Sequence, residues 1–364
     1  LRFREIELVK KELQFFIDKK VPQVKFVDRT FNCRHDHAMA IWTYIHEHDN
    51  GITNFHFEVS ADLLNEKEIA LINRMRPGLI QLEIGVQSAN EITIREINRT
   101  MKIDVLSTIV YKIKKGNNVH QHLDLIAGLP YEGYESFGKS FDRVYKMNPE
   151  QLQLGFLKVL KGSVMHDRAQ EYGIVYQDRA PYEVLSTKWL TYAEVIRLKQ
   201  IEEMVEVYYN SGQFCCTMAA LEQEFASPFC MYECLAAYYD EKNAFAVSHS
   251  RIGRYEILYD FIVKTCKERS EQYMEMLTLD MYLRDNVKKR PEFLRESGVS
   301  SDEAAAFYKK EEKERTYLKA YEGYDRRQMR KMTHLERIDG KTVLFDYKNR
   351  DPLTGNAAIY YLSE

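Results

Sequence analysis

Carboxylate, amide and imidazole side chains recur at every second position in four segments of this chain. His56 and Glu58 alternate with Phe55, Phe57 and Val59, and Gln81 and Glu83 with Ile80, Leu82 and Ile84. His120, His122 and Asp124 alternate with Leu123 and Leu125, and Gln151 and Gln153 with Leu152, Leu154 and Phe156. A strand throws successive side chains to opposite faces, so each segment has one oily and one polar face. Carboxylates accept hydrogen bonds, and neutral imidazoles donate at one nitrogen and accept at the other. Four such faces gathered together suit a polar ligand better than a barrel lumen packed with aliphatic layers does. Solvated strand ends are the bland alternative; it competes for each residue singly and poorly for the set.

The elements that must hold these residues are legible from periodicity. Residues 2–19 read as a helix, 23–28 as a strand, 35–45 as a helix and 54–59 as a strand. A helix over 61–75 follows, with Ser60 as its N-cap. LIQLEIG is a strand, followed by helices over 89–98 and 104–115, the second ended by Gly116–Asn117–Asn118. VHQHLDLIAGLP is strand then turn, 132–146 is a helix, and QLQLGFLKVL is a strand. Repeated β–α units of this length imply a parallel sheet in an α/β fold. Beyond residue 165 the pattern turns helical, over 190–210, 230–239, 251–267, 271–283 and 302–315. The tail reads as four short antiparallel strands, YLKAYEGY, HLERID, TVLFDY and AAIYYL, with turns at Asp339–Gly340 and Asp351–Pro352.

The 364 residues allow two or three domains, and 45% hydrophobic with 29% charged residues is ordinary for a water-soluble chain. A net charge of −3 gives no overall pull toward nucleic acid or anionic lipid. No apolar run approaches the roughly 20 residues that span a bilayer. LRFREIELVKK has no signal-peptide core. Six cysteines without a secreted-scaffold spacing point to a reducing cytoplasm. The chain opens on Leu1 in a charged helix and counts five strands, none before the first helix, so it reads as a fragment missing an upstream strand.

VKFVDRTFN, NFHFEVS, EIGVQS with a following INR, and LDLIAGLP, in this order and spacing, resemble strands two to five of the radical S-adenosylmethionine superfamily. The closest likeness is to its cobalamin-domain branch, which includes anaerobic magnesium-protoporphyrin ester cyclase-like proteins. KWLTYAEVIRLKQIEEMVEVYYNSGQF resembles the uncharacterised carboxy-terminal domain of one part of that branch. The resemblance implies a partial (β/α)6 TIM-type barrel over 1–165, first strand missing, then a mainly helical domain over 166–300 and a small α+β tail over 301–364. It implies S-adenosylmethionine and a 4Fe-4S cluster as cofactors. The cluster's CxxxCxxC loop is absent from this sequence and is expected upstream, as is any cobalamin domain, so the chain as given should not turn over. In the complete protein the reduced cluster would cleave S-adenosylmethionine to methionine and a 5′-deoxyadenosyl radical. The outcome would be an oxidation, a methyl transfer or a cyclisation on a small molecule such as a tetrapyrrole, with flavodoxin or ferredoxin as reductant.

The resemblance also assigns cofactor contacts. Glu58 matches a ligand-contacting carboxylate, and Gln87, followed by Ser88, the glutamine of GVQS near the ribose. Arg99 matches the arginine that pairs with the methionine carboxylate, and Asp124 the aspartate near the ribose hydroxyls. Asp28, Arg29 and Thr30 occupy the turn of backbone acceptors for the methionine amino group, but read DRT rather than a glycine-rich sequence. Lys158, within Leu157–Val159, lies in the segment beside the adenine, and Glu83 joins the inward set by parity. Structural alternatives are a surface ion pair for Arg99 and a backbone-capping carboxylate for Asp124.

Other functional classes are weaker. Those RNA-modifying members of the superfamily that end in a small basic β-barrel find no aromatic–glycine RNA signature here. The basic cluster Arg326–Lys331 and the charged run Lys309–Arg315 read first as solvated faces. A binding module that has lost its cluster is the third alternative, and an upstream CxxxCxxC excludes it. Cys230 and Cys234 stand at i,i+4, fifteen residues after Cys215–Cys216, a spacing open to metal but commoner for buried thiols. Cys33, His35 and His37 are read as ordinary side chains.

Overall fold

The computed structural model describes residues 2–294 and 296–362. The chain forms two compact units, one of residues 1–210 with 227–236, the other of residues 211–226 with 237–364.

The first unit is built on five strands: β1 (Gln23–Lys25), β2 (Asn54–Val59), β3 (Ile80–Gln87), β4 (His120–Ala127) and β5 (Gln151–Phe156). They pair in sequence order and all in parallel, as a curled half-barrel sheet in an α/β fold with many helices. The alternation sets the two faces: Ile80, Leu82, Ile84 and Val86 are fully buried, while Gln81, Glu83, Gly85 and Gln87 are partly open. Before and between the strands run α1 (Ile6–Asp18), α2 (His35–Glu47), α3 (Glu66–Ile72), α4 (Glu91–Glu96), α5 (Ile103–Lys114) and α6 (Tyr134–Tyr145), each burying apolar side chains. Near the β1 edge, Phe26, Phe31, Trp42 and Phe57 form one aromatic cluster, with the Phe26 and Phe57 rings stacked at 4.5 Å. Burying each such side chain contributes about 1.5–3 kcal/mol, so this edge is held by packing rather than by its three-residue strand.

Three expected elements of this unit differ. The helix foreseen over 61–75 breaks into a short 3-10 turn (Ala61–Leu63) and α3. Its cap is Asn65, not Ser60, because Asn65 and Glu68 close a reciprocal capping box. Strand β1 stops at Lys25 instead of 28. The long helix over 190–210 is α8 (Tyr192–Val205), capped by Thr191 and Glu194 and continued by one π turn at Glu206–Asn210. Between β5 and α8 lie the short helix α7 (Val164–Asp167) and a two-stranded piece, β6 (Val175–Tyr176) with β7 (Val184–Ser186).

The second unit holds helices α9 (Cys215–Leu221), α11 (Arg251–Thr265), α12 (Ser270–Arg284), α13 (Ser301–Glu314) and α14 (Arg326–Met332); α10 (Pro228–Glu241) draws residues from both units. Its sheet is antiparallel, β8 (Thr333–Ile338), β9 (Lys341–Arg350) and β10 (Ala357–Tyr361), in the order β10-β9-β8. Asp339 and Gly340 both take positive φ, 49° and 71°, as a tight hairpin between right-twisted strands requires. YLKAYEGY is not a strand: it holds a 3-10 turn at Lys319–Tyr321, with Tyr321 fully buried and bonded to Asp346.

Candidate functional site

The parallel register lines up the polar positions across the sheet. Lys25 is level with His56, His56 with Gln81, and Gln81 with His120. One step on, Glu58 is level with Glu83, Glu83 with His122, and His122 with Gln151; beyond that, Gly85 is level with Asp124 and Asp124 with Gln153. Toward the carboxyl ends of the strands these residues open into a cavity of about 340 Å³. Arg29, Thr30, Glu58, Glu83, Gln87, Arg99 and Asp124 all line it.

Three other expected positions lie elsewhere. Asp28 lines a neighbouring cavity at the β1 edge. Ser88 is buried, donating its hydroxyl to the Glu132 carboxylate at 2.7 Å. Lys158 is exposed and bridges to Glu183 through its backbone. At the strand end, Gln87 takes a φ of +71° after a register shift between Gly85 and Gln87, and Ser88 follows that kink. Parity therefore stops predicting direction there.

The wall also contains Ser60, Asp62, Asn98, Thr100 and Met101, which reading by parity could not find because none of them sits on a strand. Asp62 accepts the Ser60 hydroxyl at 2.6 Å. Arg99 leaves α4 through Asn98, whose φ of 56° turns the chain back, and donates to the Gly85 carbonyl at 2.8 Å. The missing side chain of Gly85 leaves room for the Gln87 amide beside it. A Cβ there would collide with the Gln87 amide and come within 3.4 Å of the Arg99 guanidinium. Gly85→Ala is therefore expected to lower affinity for the cavity's ligand several-fold while barely moving the thermal midpoint, since only side-chain ends must shift. Calorimetry alongside a circular-dichroism melt reads both.

Charge in the cavity is unevenly distributed. Burial, then the nearby Glu83 and Glu58 carboxylates, push Asp124 up to about 7, against the pull of Lys25 and Arg99. Burial also acts on Glu83, but the Lys25 ammonium at 3.0 Å, with help from His122 and His56, holds it below its ordinary value. The imidazoles of His56 and His120 are lowered by burial, and His122 falls to about 4 for the same reason, so all three are neutral near pH 7. His56 Nε2 lies 2.9 Å from Glu83 Oε2 and His122 Nε2 3.1 Å from Asp124 Oδ1. Neither contact has hydrogen-bond geometry, and Gln87 Oε1 and Asp124 Oδ1 are buried without a hydrogen-bond partner. Unpaired buried polar atoms cost roughly 1–3 kcal/mol each, which a ligand carrying hydroxyl or amine donors would recover.

Arg99 is braced from behind. Glu96, three residues earlier, accepts from the Tyr172 hydroxyl and lies 2.6 Å from the Arg168 guanidinium. Ile97 packs on the cluster of Leu129, Leu157, Val159, Tyr172 and Val184. Losing the Tyr172 hydroxyl leaves Glu96 with the Arg168 partner alone and loosens the end of α4 and with it the Arg99 loop. Tyr172→Phe is expected to weaken ligand binding several-fold in the wild-type background and not at all in Arg99→Ala. Equal losses in both backgrounds would show that Tyr172 does not act through Arg99.

Among the described residues no three His, Cys, Asp or Glu side chains form a group that could hold a metal ion. All six cysteines are free. Burial and the adjacent Cys230 raise Cys234, and burial and Asp280 raise Cys216, so these are protonated thiols near neutral pH. No helix among the described residues is long and apolar enough to cross a membrane.

Comparison with known proteins adds three findings. The oxygen-independent coproporphyrinogen III oxidase of Salmonella typhimurium is 29% identical over 107 residues, covering 28% of this chain and 23% of that protein. Its Escherichia coli K12 counterpart is 28% identical over the same length, so the chain spans under a quarter of these curated relatives. Among solved structures, the radical S-adenosylmethionine methyltransferase TsrM from Kitasatospora setae, with cobalamin and a [4Fe-4S] cluster bound, has a TM-score of 0.41 at 13% identity, over 48% of this chain and 33% of that one. The radical SAM enzyme HemN, coproporphyrinogen III oxidase from Escherichia coli, has a TM-score of 0.38 at 17% identity, over 55% and 46%. The third finding concerns residues 170–352, half of the sequence, which match one family from end to end of that stretch: the chain belongs to the family described as "Protein of unknown function (DUF4080)".

Proposed function

We propose that the cavity binds S-adenosylmethionine and that this chain forms the barrel portion of a radical S-adenosylmethionine enzyme. One observation carries the reading: the Arg99 guanidinium, the three strand carboxylates Glu58, Glu83 and Asp124, and the Gln87 amide with its unpartnered oxygen share a cavity of about 340 Å³. That is within the range of small-molecule pockets, and its contents complement an amino acid joined to a nucleoside. Arg99 offers a fork of donors to the methionine carboxylate. Asp124 and the Gln87 oxygen accept from the ribose hydroxyls. Glu58 and Glu83 place negative charge toward the sulfonium.

When bound, S-adenosylmethionine supplies a sulfonium whose reductive cleavage is the superfamily's chemistry. The residues of this chain orient it and surround it with fixed dipoles. The described residues do not fit a 4Fe-4S cluster, which needs three thiolates around one point, so cluster chemistry is not assigned to them. The choice among oxidation, methyl transfer and cyclisation, a tetrapyrrole-like substrate, cobalamin, a flavodoxin or ferredoxin reductant and a cytoplasmic setting rest on the sequence resemblance, as does the division at residues 165 and 300.

Calorimetric titration with S-adenosylhomocysteine tests the reading. Saturable binding that Arg99→Ala and Asp124→Ala each weaken supports it, and the same affinity in wild type and both variants overturns it.

A further inference from the structure

Two basic stretches far apart in the sequence, NVKKR at 286–290 and RRQMRK at 326–331, meet in the second unit. Asp325 and Gln328 close a capping box that starts α14. The helix buries Met329 on one side and leaves Arg327, Arg330 and Lys331 exposed on the other. The Asn286 amide donates to the carbonyls of Lys331 and Thr333 at 3.5 and 3.4 Å, which sets Lys288 and Lys289 beside the end of that helix. Thr333 opens β8 directly after α14 and is level with Asp346, two residues before Lys348 on β9. The Lys348 ammonium stands 4.5 Å from the centroid of the half-exposed Tyr324 ring. Among the described residues, none of these six cations makes an ion pair. They form a strongly positive face on a chain whose net charge is −3.

We propose that this face binds single-stranded nucleic acid through its phosphates. Arginines and lysines three or four residues apart on a helix stand about 5–6 Å from one another, a spacing that suits successive phosphates of a strand, and each phosphate neutralised releases a counterion. Tyr324 is a ring on which a base stacks when Lys348 moves to a phosphate. A helix of seven residues is too short to read a duplex groove. A lipid surface is disfavoured because amphipathic membrane binders insert large apolar side chains. Between Val263 and Tyr361 no large hydrophobic side chain of the described residues is exposed.

The test is fluorescence anisotropy of a fluorescein-labelled oligouridine RNA with the full chain. Binding is expected at low salt, with log affinity falling against log salt by about 0.7 per phosphate contact. Lys288→Glu with Lys289→Glu, and separately Arg327→Glu with Arg330→Glu, should each cost about tenfold or more and flatten the salt slope. Lys11→Glu on α1 should change nothing. Circular-dichroism melts check the fold of each variant, and the two pairs stand in for each other if one fails to fold. No binding, salt-independent binding, or unchanged affinity in a folded pair overturns the proposal. So does a result in which the pairs abolish binding to phosphatidylserine vesicles but not to RNA, which would assign the face to membranes.

Discussion

Replacing Arg99 with alanine is expected to weaken S-adenosylhomocysteine binding by about 10–100-fold. The size follows from the interaction: charge-assisted hydrogen bonds contribute roughly 1.5–3 kcal/mol, and 1.4 kcal/mol is a factor of ten in affinity. The variant should fold normally, because Arg99 is exposed, its backbone N–H bond to the Ile94 carbonyl is kept, and among the described residues its guanidinium donates to the Gly85 carbonyl alone. Arg99→Lys should recover only part of the loss, since an ammonium lacks the planar fork that meets both carboxylate oxygens. Calorimetry on the three proteins decides it. Equal affinity in all three would remove Arg99 from the site, and a wild type that does not bind would remove the ligand.

Asp124 should make binding and stability depend on pH in opposite ways. Its folded value of about 7 lies above the roughly 3.9 of an unfolded aspartate. Between those values the native protein holds more protons than the unfolded chain, so stability falls as pH rises from about 4 to about 7. Asp124→Asn removes the buried charge that faces Glu83 and Glu58. Without ligand it should raise the thermal midpoint by several degrees at about pH 8, at roughly 2–4 °C per kcal/mol, and the gain should vanish on acidification toward pH 4. S-adenosylmethionine carries a positive sulfonium and prefers the ionised carboxylate, so its affinity should climb several-fold as pH passes upward through 7. S-adenosylhomocysteine, whose sulfur is neutral, should respond less, and Asp124→Asn should abolish the rise. Melts and titrations across that range check the sign. A stability gain on raising the pH in the wild type, absent from the variant, would mean that folding holds Asp124 below its ordinary value, and a fall with pH that persists in the variant would mean that another group titrates.

The brace behind Arg99 concerns the DUF4080 stretch itself, because Tyr172 falls inside residues 170–352 and Glu96 outside them. Both residues lie in the first unit. The opening of the family region thus packs on the helix that presents the guanidinium, and the Tyr172–Arg99 cycle measures whether it tunes that position.

Alternation by itself determined much of this protein. A period of two separates the faces of β2, β3 and β4, and a parallel register cannot slip by one residue without turning the oily faces outward. Glu58, Glu83 and Asp124 were therefore legible as neighbours from their positions alone. The hairpin at Asp339–Gly340 was legible for a related local reason, since those residues tolerate the left-handed backbone that the turn needs. Where the chain leaves regular structure, local rules have no purchase. Asp62 reaches the cavity wall from the 3-10 turn after β2, and Ser88 turns from it toward buried Glu132 after the kink at Gln87. The Asn65 capping box outcompetes Ser60 for the start of α3, a contest that spacing did not resolve. The tertiary structure alone decided the charge state of the site: Asp124 and Glu83 are both strand carboxylates, yet one is pushed up and the other held down. Burial pushes both upward; Lys25 beside Glu83 outweighs it there, and like charges around Asp124 add to it, which depends on distances no sequence pattern encodes.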